Sequence, residues 1–272
     1  MTRRASILGA LLVGVVAGFL AGLFGVGGGI LIVPGLVALG MRQRLAHGTS
    51  LAAIVPIAGA GIAGFWLEGA VDWSAAGLLS VGAVAGAVAG TQLLQRLEGR
   101  ALRLGFAGLL VATAARLFLE TGDRAGRGDL DAWLALALIV VGLLSGLVAG
   151  LFGVGGGVVV VPVLVILFSV PDPVAKGTSL VVILPTAIVG TLGNLRHGNT
   201  DLGAAAATGL GGVVSAYLAS RLAVNLDPRL SVVLFGALLV GVALRLIVVE
   251  RRRTVLRREG LWPPEAGETG VP

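Results

Sequence analysis

Two glycine runs, Gly25-Val26-Gly27-Gly28-Gly29 and Gly153-Val154-Gly155-Gly156-Gly157, are the residues of this chain best suited to chemistry. A glycine inside a helix costs up to about 1 kcal/mol against alanine, so runs this dense break a helix rather than continue it. An apolar stretch follows each run, which predicts a short helix whose first N–H groups lack intrahelical partners. Those groups, at the positive end of the helix dipole, suit an anion. Gly27, Gly28, Gly29, Gly155, Gly156 and Gly157 would let it approach the backbone with no Cβ in the way. The bland reading of the same glycines is a tight helix–helix crossing. Thr49-Ser50 and Thr178-Ser179 are read as opening the helices that come next. There they would either cap those helices or donate to a small oxyanion, with His47 or Lys176 beside them as a screening charge. Asn194 would line the same route. It heads a polar cluster with Arg196, His197, Asn199 and Asp201, whose counterpart earlier in the chain has Glu68 in place of His197 and Asp72 in place of Asp201. A carboxylate matched to an imidazole could bind or relay protons. Both lie near the ends of apolar stretches, where charged residues are ordinary.

Other chemistries find no support. The chain has no cysteine and two histidines, so a metal site would rest on carboxylates that fall mostly in loops. No HExxH, CxxC or Walker-type sequence occurs, and the glycine runs lack the lysine of a phosphate loop. No enzyme, cofactor or metal is expected.

The elements that position these residues are written twice. Residues 14–34, GVVAGFLAGLFGVGGGILIVP, and 142–162, GLLSGLVAGLFGVGGGVVVVP, agree at 13 of 21 positions at an offset of 128. Beyond the glycines the echo continues at an offset of 129. His47-Gly48-Thr49-Ser50-Leu51 answers Lys176-Gly177-Thr178-Ser179-Leu180, and Pro56, Gly69, Asp72, Gly82 and Arg116 answer Pro185, Gly198, Asp201, Gly211 and Arg245. A unit this long is a duplicated half-protein, not a solenoid repeat. Duplication in a very apolar chain is a common plan among secondary transporters.

Composition places the whole chain in lipid. Mean hydropathy is +1.00, and only 12% of residues are charged, against about 25% in ordinary soluble domains. The net charge of +6 comes from arginines scattered between apolar stretches. That pattern excludes a nucleic-acid surface and fits membrane orientation. The N-terminal MTRRASILGALLVGVVAGFLAG imitates a secretory signal, but it already contains the start of the duplicated motif, so no cleavage is expected.

Spans of about 20 apolar residues fall near 5–24, 48–67, 73–95, 102–119, 131–152, 177–195, 202–223 and 229–249. Two shorter pieces, near 30–40 and 158–169, follow the glycine runs and would be re-entrant or broken helices. If the short pieces return, the halves are parallel, with 12 Lys/Arg inside and 8 outside. If they cross, the second half is inverted and the count becomes 14 against 6. The positive-inside rule favours inverted repeats with both termini cytoplasmic. The expected architecture is therefore an all-α polytopic membrane protein. Its first repeat covers 5–119 and its second 131–249, with a loop at 120–130 between them and a disordered basic tail at 250–272. Glycines four apart (Gly14, Gly18, Gly22; Gly82, Gly86, Gly90; Gly142, Gly146, Gly150) are read as close helix packing.

The paired A-G-L-F-G-V-G-G-G…P runs, each followed by G-T-S-L, resemble the TauE/SafE family of sulfite-exporter-type permeases over residues 5–249. The resemblance implies a multi-pass inner-membrane carrier of anions, often sulfur oxyanions or organosulfonates, with about eight spans. It implies that the glycine-run helix starts and the two G-T-S segments form the translocation site. It does not specify the anion. The expected partners are the lipid bilayer, a small anion and, if coupled, protons; the sequence does not fix an oligomeric state. A passive anion channel and a non-transporting scaffold are the alternative readings.

Overall fold

The computed structural model describes residues 3–93, 108, 111, 115, 131–152 and 155–258. Among these every regular element is a helix. The first half has α1 (Arg3–Phe24), α2 (Gly29–Ala38), α3 (Gln43–Leu67) and α4 (Trp73–Leu93). The second has α5 (Ala132–Phe152), α6 (Gly157–Leu167), α7 (Asp172–Arg196), α8 (Leu202–Val224) and α9 (Pro228–Arg258). Six of these, α1, α3, α4, α5, α7 and α8, are long and apolar enough to cross a membrane. The last, α9, contributes the apolar stretch Arg229–Leu244 and runs on to Arg258, into the segment read as tail. The span expected at 102–119, apart from residues 108, 111 and 115, the loop at 120–130, and Gly153 and Val154 lie outside the described residues.

The two short apolar pieces are helices of 10 and 11 residues, α2 and α6, beginning at Gly29 and Gly157. The residue before each, Gly28 (φ 74°) and Gly156 (φ 73°), is in the left-handed region. A Cβ there would be strained, which is why the run ends in glycine at this point. Two helices start earlier than the sequence suggests. The G-T-S segments do not open helices; α3 begins at Gln43 and α7 at Asp172, so Thr49 and Thr178 lie nearly two turns inside. Pro173 stands in the first turn of α7 behind Asp172, a helix-start signal that an expected loop had hidden.

The halves interlock. Helix α1 lies along α8, α4 lies along α5, and α3 meets both α7 and α8. Backbones touch where the glycine stripes fall. A methyl built on Gly14 or Gly18 would lie 2.0 or 2.3 Å from the carbonyl oxygen of Thr208 or Gly212. Their repeat counterparts Gly142 and Gly146 would meet the oxygens of Leu79 and Ala83 at 2.1 and 2.0 Å. Each of these four contacts has its partner at the same repeat offset. With lipid outside, no hydrophobic force drives helices together, so this approach supplies the van der Waals and weak polar contact that does. Large apolar side chains such as Leu8, Val81, Trp133, Leu210 and Val214 point outward, as a lipid-facing surface requires.

Candidate functional site

The two glycine turns, one from each half, meet each other. A methyl built on Gly157 would lie 2.6 Å from the carbonyl oxygen of Gly25 and 2.9 Å from Ser179 Oγ. Ser179 is fully buried and donates its hydroxyl to Gly25 O at 2.9 Å. Ser145, on α5, donates to Gly156 O at 2.9 Å. No side chain caps α2 or α6; the N–H groups of Leu31 and Val159 turn back to Gly28 O and Gly156 O, and those of the first two residues of each helix have no intrahelical acceptor. Two uncapped helix starts thus converge on one buried place, with Gly27, Gly28 and Gly29 on one side and Gly155, Gly156 and Gly157 on the other.

The serines and threonines of the G-T-S pairs separate by task. Thr49 Oγ1 accepts the N–H of Asp201 at 3.0 Å, and Thr178 Oγ1 accepts the N–H of Asp72 at 3.0 Å. Both are fully buried. Asp201 and Asp72 in turn accept from Ala204 N and Ala75 N and so cap α8 and α4. The threonines are therefore staples between halves: they do not cap their own helices but hold the aspartates that cap helices of the other repeat. Ser179 sits beside the glycine turns, and Ser50 lies one helical turn before Ile54, whose side chain approaches Gly27. Ser50 repeats Ser179, yet its buried hydroxyl finds no hydrogen-bond partner. A buried polar group without a partner is rare, because its desolvation is uncompensated.

Asn194 spends its amide on Gly190 O of its own helix at 2.8 Å and packs its Cβ beside Gly48. Glu68 and His197 are not brought together. Glu68 ends α3 and pairs with Arg221 of α8 at 2.5 Å. His197 ends α7, exposed, its Nδ1 2.8 Å from Gly193 O.

Sequence reasoning missed a charged cluster next to the turns. Lys176 is fully buried, its Nζ 2.7 Å from Asp172 Oδ2 and 2.5 Å from Ser231 Oγ. Ser231 donates to the same carboxylate oxygen at 2.7 Å, and the Phe24 ring lies under the ammonium at 5.8 Å. A methyl on Gly25 would press on Lys176 Cα at 2.6 Å, so this cluster abuts the first turn. Asp172 and Lys176 are four apart on one helix, a spacing that would have exposed the pair had α7 been started at Asp172. The open groove of about 420 Å³ lined by Leu12, Val13, Val16, Leu31, Pro34 and Gly35 has no polar side chain. It offers nothing to an anion. Among the described residues no group of His, Cys, Asp and Glu could hold a metal ion.

Residues 138–270 match the family described as Sulfite exporter TauE/SafE. A probable membrane transporter protein of Xylella fastidiosa (strain Temecula1) is 30% identical over 241 residues, covering 86% of this chain and 92% of that protein. The chain belongs to the TauE/SafE family. Further TauE/SafE relatives reach across bacteria and archaea. The Bacillus subtilis probable membrane transporter protein YunE is 25% identical over 69% of this chain and 78% of its own length. A probable membrane transporter protein of Methanocaldococcus jannaschii is 27% identical over 70% and 73%. The family match falls on the second repeat, and the first repeat carries the same motifs 128–129 residues earlier. This TauE/SafE chain is a multi-pass membrane protein whose relatives are described as probable transporters.

Proposed function

We propose that this chain is a secondary transporter of small anions, sulfite or organosulfonates among them, working by alternating access. The observation that carries the reading is the meeting of two glycine turns that each open an uncapped helix, with the buried, unpartnered Ser50 hydroxyl one helical turn before Ile54, which packs toward Gly27. Helix N-termini and a free donor are what a desolvated oxyanion needs. The anion would lie between Gly27–Gly29 and Gly155–Gly157, with Ser50 donating and Ser179, Thr49, Thr178 and Asn194 holding the walls. The architecture behind it is two inverted repeats with eight full crossings, and α2 and α6 as the broken helices that enter from opposite sides. Reciprocal contacts between equivalent residues of the halves support that symmetry. The termini face the cytoplasm of a cell whose inner membrane holds the protein.

The membrane potential alone, about 2.3 kcal/mol per charge per 100 mV, drives an anion out of a cell that is negative inside. Export therefore requires neither ATP nor a coupled ion. Proton relay through Glu68 and His197 is not part of this reading, since Arg221 holds the first and the second faces outward on its own helix end.

The test is flux in proteoliposomes loaded with sulfite, sulfate or a small sulfonate, with and without an imposed pH gradient. Saturable flux of one anion, responding to potential and indifferent to the gradient, is expected. Conductance far above carrier turnover would instead make the protein a channel, and no flux of any of the three would remove the sulfur-anion assignment.

A further inference from the structure

The space between the two glycine turns is filled by isoleucine. Ile183 of α7 is fully buried, and methyls built on Gly27, Gly155 and Gly157 would lie 3.1, 3.2 and 2.7 Å from its side-chain carbons. It thus touches the turns of both repeats and covers the first residue of α6. Its repeat counterpart, Ile54 of α3, is also fully buried and would lie 3.7 Å from a methyl on Gly27. Each isoleucine stands one helical turn after a serine of the site, Ser179 or Ser50, and so shares its helix face. Each also stands two residues before a proline inside its helix, Pro185 or Pro56. A proline has no N–H for the carbonyl four residues back, which leaves the helix free to bend around the isoleucine.

We propose that Ile183 and Ile54 form the closed gate of the translocation route, an apolar plug that bars water and anions from the paired helix starts until α7 and α3 bend at Pro185 and Pro56. The proposal rests on the anion site lying between the turns. A branched apolar side chain cannot solvate an anion, so its presence over the N-terminus of α6 makes this conformation an occluded one. Hydrophobic constrictions of this kind close by excluding water and open when widened or made polar. Two symmetric isoleucines, one per repeat, give each half one side of the gate.

The chain contains no cysteine, so a single Ser50→Cys substitution reports water access with no background. The experiment measures its modification by a charged, membrane-impermeant methanethiosulfonate reagent in reconstituted protein, alone and combined with Ile183→Ala, Ile54→Ala or Ile183→Thr. The threonine change keeps the branched Cβ and most of the bulk while wetting the plug, and serves if the alanine variants do not fold. Leu79→Ala, a fully buried position on α4, is the packing control. We expect labelling at least about tenfold faster in the gate variants, a factor worth about 1.4 kcal/mol of barrier, and unchanged in the control. Equal rates in all of them overturn the gate, whatever the anion flux. Faster labelling, with no anion flux in the chain that keeps Ser50, overturns the transport reading and leaves the plug standing as a water barrier.

Discussion

Ser50 and Ser179 occupy equivalent positions, and the structure treats them differently. Ser179 satisfies the carbonyl of Gly25, whereas Ser50 satisfies nothing. Removing Ser179 leaves a buried carbonyl unmatched, so Ser179→Ala is expected to cost about 1–3 kcal/mol, seen as a lower melting temperature in detergent. Ser50→Ala removes a group that already bears its desolvation cost, and the same melt should show no loss. Lys176 is the other residue with a sharp expectation. Lys176→Met strands Asp172 in a site only 7% exposed, and breaking a buried pair from one side costs about 3–5 kcal/mol. The double variant Asp172→Asn/Lys176→Met should recover most of that loss. Equal destabilisation by the single and double changes would mean that the lysine matters for its bulk and not for its charge.

Elements are joined across the repeats by reciprocal pairs, and these were only partly legible in sequence. The glycine stripes could be read directly, because spacing by four in an apolar helix has one physical use, close backbone approach. Gly146→Val should therefore abolish stable assembly, since its carbons would overlap the Ala83 carbonyl. Gly59→Ala, with open space around it, should leave yield and melting unchanged. Both are checked by monodisperse yield after extraction. The threonine staples were not legible, since nothing local says that Thr49 serves Asp201, 152 residues away. Thr49→Val should lower stability by about 1 kcal/mol, the worth of an ordinary hydrogen bond, and Thr49→Ser should restore it. The Glu68–Arg221 pair joins α3 to α8 at a partly exposed edge. Glu68→Gln should change stability by less than about 1 kcal/mol, as exposed ion pairs do. The start of α7 was misplaced because Asp172 and Lys176 looked like loop residues, whereas their mutual neutralisation lets the helix begin at Asp172 and bury Lys176.

At the scale of the whole molecule, duplication made the plan readable. It identified the glycine turns, the short helices behind them and the G-T-S segments as recurring parts. It could not say which copies would remain alike. Lys176 replaces His47, Asp172 replaces Gln43, and Ser50 lacks the bond that Ser179 makes, so a nearly symmetric frame surrounds an asymmetric site. Such asymmetry suits a carrier, in which one repeat can hold its geometry while the other changes partners. The most direct test is saturable sulfite flux in proteoliposomes of the wild-type chain and of Ser50→Ala at matched melting temperature. A hydrogen bond to a charged ligand is worth about 1.5–3 kcal/mol, so flux should saturate in the wild type and Ser50→Ala should raise KM by roughly ten- to a hundredfold. Wild-type kinetics in Ser50→Ala would contradict an anion site at the meeting of the two glycine turns.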